Sequence, residues 1–147
     1  MFQFLLKTDD SQAQLFTRVA LGAVILPHGL QKILGIWGGP GLERTMQIFM
    51  AKGYPNWAVI LLMVTESLGA LLLAAGFLTR IWALGIGTAM AICMYTNHLQ
   101  YGFFLNWTGS QQGEGIEFHI LVISIALALV FRGGGRLSLD RKFSGGR

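Results

Sequence analysis

Four long apolar stretches, separated by short polar segments, dominate the hydropathy pattern of the chain. They span residues 15–37, 57–78, 81–98 and 115–131. Each is close to the roughly 20 residues that an α-helix needs to cross about 30 Å of hydrocarbon. The pattern therefore predicts an all-α membrane protein, a four-transmembrane-helix antiparallel bundle that forms a single domain over residues 1–147. A basic tail follows over residues 132–147.

Composition supports a lipid environment. Hydrophobic residues make up 53% of the chain and charged residues 12%, about half of the roughly 25% typical of soluble domains. The net charge of +4 is explained by flanking and tail residues that would meet anionic lipid, so no nucleic-acid partner is expected. Cys93 is the only cysteine, which excludes an internal disulfide and favours a small buried hydrophobe. The first ten residues lack a small-residue cleavage pattern, so no cleaved signal peptide is expected.

The lysine and arginine residues predict the orientation, because cytoplasmic loops carry the excess of both. With both termini on one side, that side holds eight of them and the other side three. Arg18, one turn inside the first helix, is expected to snorkel to the interface. A multi-pass protein of a bacterial or archaeal plasma (inner) membrane, with both termini cytoplasmic, is the resulting prediction. The eight are Lys7, Arg18, Arg80, Arg132, Arg136, Arg141, Lys142 and Arg147; the three are Lys32, Arg44 and Lys52.

Ionisable side chains within the outer half of all four apolar stretches are the candidate functional residues. A charged group at the centre of a bilayer costs about 2.5–3.5 kcal/mol on insertion scales, so each calls for a partner or a function. We expect them to face one shared interior pocket. They are His28, Lys32, Glu66, His98 and Glu117.

Helical periodicity predicts the faces that pack together. On the third helix Ala83, Gly87 and Ala91 form a stripe of small residues that permits close helix approach. On the fourth helix we expect Glu117, Leu121, Ser124 and Ala128 to face inward. His119 would then lie on the opposite side, as an interfacial or helix-start residue.

A quinone site is the functional hypothesis that this set favours. Histidine exchanges protons near neutral pH and can hydrogen-bond a quinone carbonyl. Glu66, His28 and His98 are the predicted catalytic residues, with Glu66 as proton carrier. His28, Lys32, His98 and Glu117 are predicted to bind the cofactor, and Lys32 would stabilise a reduced anion. The protein would be a membrane subunit of a quinone-linked redox system, with partner redox subunits or further copies of itself.

Three alternatives stay open. The polar residues could form a structural cluster in a non-catalytic scaffold or assembly partner, with Lys32 or Arg18 neutralising Glu66. A metal site from His28, His98, Glu66 and Glu117 lacks the Glu-x-x-His pairs of di-metal bundles, and Lys32 would oppose the ion, so no metal ligands are assigned. A small-solute transporter is disfavoured because the chain has no inverted repeat.

Four segments resemble the DoxX family of small four-helix membrane proteins. His28-Gly29-Leu30-Gln31-Lys32 resembles its HGxxK element, and residues 66–80 are similar to its second helix, which carries a glutamate and glycines and ends at an arginine turn. Residues 106–119 are similar to its approach to the last helix, and residues 133–140 to its closing tail. The resemblance covers about residues 18–140. It implies a four-helix inner-membrane protein linked to quinone-dependent oxidation. By position, the resemblance implies that six residues correspond to residues typical of the family: His28, Lys32, Glu66, Arg80, Glu117 and Asp140.

Overall fold

The computed structural model describes residues 5–145. The first four residues of the chain and the last two of the predicted basic tail, Gly146 and Arg147, lie outside that range. The described chain is helical and contains no β-strand between residues 5 and 145. Its helices are α1 (Ala13–Leu34), α2 (Gly41–Ala51), α3 (Asn56–Ala75), α4 (Thr79–Cys93), α5 (Glu117–Arg132) and α6 (Leu139–Phe143).

The four predicted helices correspond to α1, α3, α4 and α5, with ends shifted by a few residues. Both α1 and α3 stop at a glycine in the left-handed conformation, Gly35 (φ 69°) and Gly76 (φ 74°). Glycine adopts that conformation without a Cβ penalty, which makes it a common helix terminator. Pro27 lies within α1 and does not end the helix.

Two short helices, α2 and α6, were not predicted from the pattern. The first lies in the connection between α1 and α3, and the second lies in the glycine-rich tail. Thr45 on the buried side of α2 donates a hydrogen bond to the carbonyl of Lys32, at 3.0 Å. This contact holds α2 against the end of α1.

The four long helices share one apolar core. Ile25 of α1, Leu73 of α3, Ile86 of α4 and Leu129 of α5 are each fully buried in it. Each residue comes from a different helix, so the core itself ties the four together. Burying side chains of this size contributes roughly 1.5–3 kcal/mol each.

The predicted inward face of α5 is wrong. Leu121, Ser124 and Ala128 are exposed, whereas His119, Val122, Ala126 and Leu129 are buried. Ser124 satisfies its hydroxyl on the carbonyl of Ile120, at 2.8 Å, and needs no interior partner. The small-residue stripe of α4 is confirmed at Gly87, where an added Cβ would lie 3.2 Å from the methyl group of Ala126.

Two helices of the described chain, α1 and α3, are long and apolar enough to cross a membrane by length and composition. The other two long helices are shorter, with 15 residues in α4 and 16 in α5. The π-helical turn Met94–His98 continues α4, which brings that helical segment to the length predicted for the third stretch. Many large apolar side chains are exposed, among them Trp57, Trp107 and Phe131. These features are consistent with an all-α membrane protein.

Candidate functional site: a polar ion pair in the wall of an apolar cavity

Lys32 and Glu66 form an ion pair between α1 and α3. The Lys32 Nζ lies 2.6 Å from the Glu66 Oε2, and the Glu66 side chain is 4% exposed against 21% for that of Lys32. Lys32 Nζ also lies 3.4 Å from the carbonyl of His28, one turn earlier. A carboxylate buried among apolar groups would be costly alone, and the ammonium group compensates its charge.

Gly29 makes this ion pair possible. A Cβ built on Gly29 would lie 2.5–2.6 Å from the backbone of Glu66, so only glycine lets α1 and α3 approach this closely. Lys32 follows Gly29 by three residues and therefore lies on the same face of α1. The spacing of the Gly29 and Lys32 pair thus has a physical explanation: the glycine brings the helices together and the lysine reaches the glutamate.

Glu66 lies in a π-helical turn, Thr65–Gly69, in the middle of α3. Such turns carry one extra residue and recur at functional sites. Ser67 in the same turn donates its hydroxyl to the carbonyl of Met63, at 2.6 Å. The Ser67 hydroxyl therefore satisfies the Met63 carbonyl next to the π-helical turn.

The ion pair borders a cavity of about 550 Å³. Its walls come chiefly from α3 and α4 and are mostly apolar, with Trp57 and Trp82 among the large side chains. This volume is within the range of small-molecule sites, which are mainly apolar with few polar groups. The polar side chains of its wall are Lys32, Tyr54, Thr65, Glu66, Thr88, Thr96 and Asn97, with the thiol of Cys93 beside them.

Hydrogen bonds join several of these polar groups at one end of the cavity. Lys52 Nζ donates to Asn97 Oδ1 at 2.7 Å, and the hydroxyls of Tyr54 and Thr96 lie 3.4 Å apart. Both contacts connect the segment after α2 to the end of α4. They hold the cavity wall together near its polar end.

The five candidate residues do not converge on one pocket, contrary to expectation. Lys32 and Glu66 line the cavity, whereas His28, His98 and Glu117 are absent from its wall among the described residues. His28 is exposed on the outside of α1. Glu117 accepts the backbone N–H of Leu105 at 3.0 Å and so anchors the preceding loop. The functional roles predicted for these three residues stay predictions.

His98 instead lies against His119, with ring centroids 4.3 Å apart. His119 is 5% exposed and occupies the buried face of α5. The interfacial position predicted for His119 followed from the assignment of the inward face of α5 to Glu117. The spacing of His119 with Val122, Ala126 and Leu129 is a helical signal that could have identified its position.

The described residues form an all-helical fold with an ion pair in the wall of a mostly apolar cavity, which is consistent with a helical membrane protein. The DoxX family model matches residues 13–99, more than half of the chain, and the protein belongs to the DoxX family. All residues that line the cavity fall within this range. Glu117 and His119 lie outside it.

Two relatives extend the comparison. The chain is 27% identical over 126 residues to the protein named "Putative oxidoreductase CatD" from Bacillus subtilis (strain 168), covering 86% of this chain and 83% of that protein. It is 32% identical over 89 residues to a "Chloramphenicol resistance protein" from Pseudomonas aeruginosa, covering 60% of this chain but 20% of that protein. No solved structure matches the chain.

Proposed function

We propose that this DoxX-family protein is a membrane redox protein that binds a quinone in the cavity between α3 and α4. The observation that carries the proposal is the position of the Lys32–Glu66 pair in the wall of an otherwise apolar cavity. An apolar cavity suits a lipid-soluble ring, and a charged pair at its edge suits the ring's carbonyl oxygens. The similarity to CatD, whose name describes an oxidoreductase, supports the redox assignment.

In this proposal the four long helices cross a bacterial or archaeal inner membrane as an antiparallel bundle with cytoplasmic termini. The eight-to-three distribution of basic residues supports that orientation. A quinone diffuses within the bilayer and would enter the cavity laterally. Electrons would come from a partner redox subunit.

The side chains proposed to act at the ring are Glu66 and Lys32. Reduction of a quinone takes up two electrons, which the partner redox subunit would supply, and two protons, which the Glu66 carboxylate would relay one at a time from solvent to the ring oxygens. The Lys32 ammonium would stabilise negative charge on the reduced oxygen. His28 and His98 are not needed at the ring, since neither lines the cavity.

Tryptophan fluorescence provides a direct binding test, because Trp57 and Trp82 line the cavity. A short-chain quinone titrated into the purified protein should quench this fluorescence. Glu66→Gln should weaken binding about tenfold or more, since hydrogen bonds to charged groups contribute roughly 1.5–3 kcal/mol. Ala89→Phe, which fills the cavity and leaves the ion pair intact, should abolish quenching.

Matched controls isolate the cavity. Glu43→Gln changes an exposed glutamate of α2, and Ala75→Phe adds the same ring at an exposed site; both should bind as the wild type does. Mass spectrometry of lipids extracted from the purified protein would identify the native occupant. The proposal fails if no quinone is extracted and Ala89→Phe quenches like the wild type.

A scaffold function is the second candidate, and the ion pair itself favours it. Lys32 Nζ lies 2.6 Å from Glu66 Oε2, so the protein itself supplies a counter-charge for the buried glutamate. A scaffold predicts that Glu66→Gln lowers the melting temperature or the yield of an assembled complex while redox activity per complex is unchanged. The quinone proposal predicts instead that Glu66→Gln lowers the redox activity per assembled complex.

A further inference from the structure

Three potential metal ligands from two helices meet beside the cavity. Cys93 at the end of α4, His98 in the π-helical turn that follows, and His119 on α5 each offer one ligand atom. These atoms all lie within 4.8 Å of one another. Only Cys93 of the three also lines the proposed quinone cavity, so the cluster needs an explanation of its own.

The ring of His119 provides the second observation. Its Nδ1 is buried and has no hydrogen-bond partner among residues 5–145. The residue as a whole is 5% exposed. A buried polar atom without a partner costs about 1–3 kcal/mol. A bound cation near this nitrogen would remove that cost.

The ring of His98 is oriented as metal-binding histidines usually are. Its Nδ1 lies 2.9 Å from the backbone carbonyl of Glu114. A carbonyl oxygen only accepts, so Nδ1 must carry the proton and the lone pair of the neutral ring lies on Nε2. Metal-ligating histidines commonly donate their second N–H to a carbonyl in this way, which fixes the tautomer.

The cluster is accessible from the cavity. Cys93 is half-buried and lines the cavity wall, and His98 is also half-buried. Asn97 Nδ2 lies 4.0 Å from the Cys93 sulfur. An ion could therefore reach the thiol without unfolding of the helices.

We propose that Cys93, His98 and His119 form a binding site for a soft d¹⁰ metal ion, Cu⁺ or Zn²⁺, with one coordination position open. A thiolate and two imidazoles are the ligands that these ions prefer. Metal–ligand bonds are about 2.3 Å long to sulfur and 2.0–2.1 Å to nitrogen. The three ligand atoms, which lie within 4.8 Å of one another, would therefore have to approach each other by roughly 1 Å to bind one ion. Binding releases the thiol proton to solvent, and no redox change of the ion is involved.

This site differs from the metal set weighed in the sequence analysis. Only His98 is common to both, because His28 is exposed and Glu66 is paired with Lys32. It shares only Cys93 with the wall of the proposed quinone cavity, since neither histidine lines that cavity, and it uses neither Lys32 nor Glu66. The two proposals can therefore fail separately.

Alkylation of Cys93 provides the test, since it is the only thiol in the chain. The purified, quinone-free full chain in detergent would be treated with N-ethylmaleimide in the presence of Zn²⁺ or, anaerobically, Cu⁺. At a metal concentration ten times Kd about one site in eleven is free, so labelling should slow about tenfold. Mass spectrometry gives the labelled fraction, and elemental analysis should give one bound ion per chain.

Variants decide whether the histidines take part. His98→Ala and His119→Gln should lose the protection, and Cys93→Ser should lose the bound ion, while His28→Ala should behave as wild type. Circular dichroism and melting curves of each variant identify those that fail to fold. If His119→Gln fails to fold, Cys93→Ser, a one-atom change, still tests the site. The ion that protects identifies the metal. Protection by neither ion, or one bound ion that persists in Cys93→Ser, would overturn the proposal.

Discussion

At the scale of single residues, the Lys32–Glu66 pair illustrates how a charge is kept in an apolar interior. Glu66 lies in a π-helical turn, and Gly29 brings α1 close enough for Lys32 to reach it. The sequence predicted that Glu66 would need a partner, and Lys32 was among the candidates. The close approach at Gly29 could not be predicted, because it depends on which faces of α1 and α3 meet.

Replacing Lys32 by methionine should destabilise the protein strongly. The substitution keeps an unbranched side chain one atom shorter but leaves Glu66 buried without a counter-charge, which typically costs about 3–5 kcal/mol. Thermal unfolding in detergent would measure the loss. The double variant Lys32→Met with Glu66→Gln should recover most of it, because no charge is then buried. If the single variant has the same melting temperature as the wild type, the pair is not important for stability.

At the scale of helices, α5 shows where periodicity alone was insufficient. Both of its faces contain helix-spaced residues, and the choice rested on the glutamate and small residues of one face. The structure buries the other face, since Ala126 packs at Gly87 of α4 and Leu129 enters the shared core. A helix whose other side can contact lipid carries apolar residues all round, so hydrophobicity does not distinguish its faces.

A pair of substitutions on α5 tests the assignment of its buried face. Ala126→Leu places a larger side chain where the residue is 1% exposed and faces Gly87. Overpacking of this kind costs typically about 1–3 kcal/mol. Ser124→Leu adds similar bulk on the exposed face and should leave the melting temperature nearly unchanged. Equal effects of the two substitutions would contradict the assignment.

At the scale of the whole molecule, the tail is part of the fold. Arg18 was expected to snorkel, but it is 2% exposed and donates to the carbonyls of Ala74, Gly134 and Leu137. Asp140 accepts the backbone N–H groups of Leu78 and Thr79 at 2.6 and 2.9 Å. These contacts join α1, the turn between α3 and α4, and the tail. Sequence patterns describe elements one at a time, so they could not predict contacts between residues 56 to 119 positions apart.

Asp140→Asn should release the tail from the end of the bundle. The carboxylate caps the two N–H groups at the start of α4, and each hydrogen bond to a charged group contributes roughly 1.5–3 kcal/mol; the amide can accept only one of them well. Limited trypsin digestion, read by mass spectrometry, should then cleave faster at Arg136 and Arg141. Asp10→Asn is the matched control, because Asp10 is an exposed acid that pairs with Arg141, and exposed pairs contribute little. Faster cleavage in the Asp10 variant alone would mean that the surface pair, and not the buried cap, holds the tail.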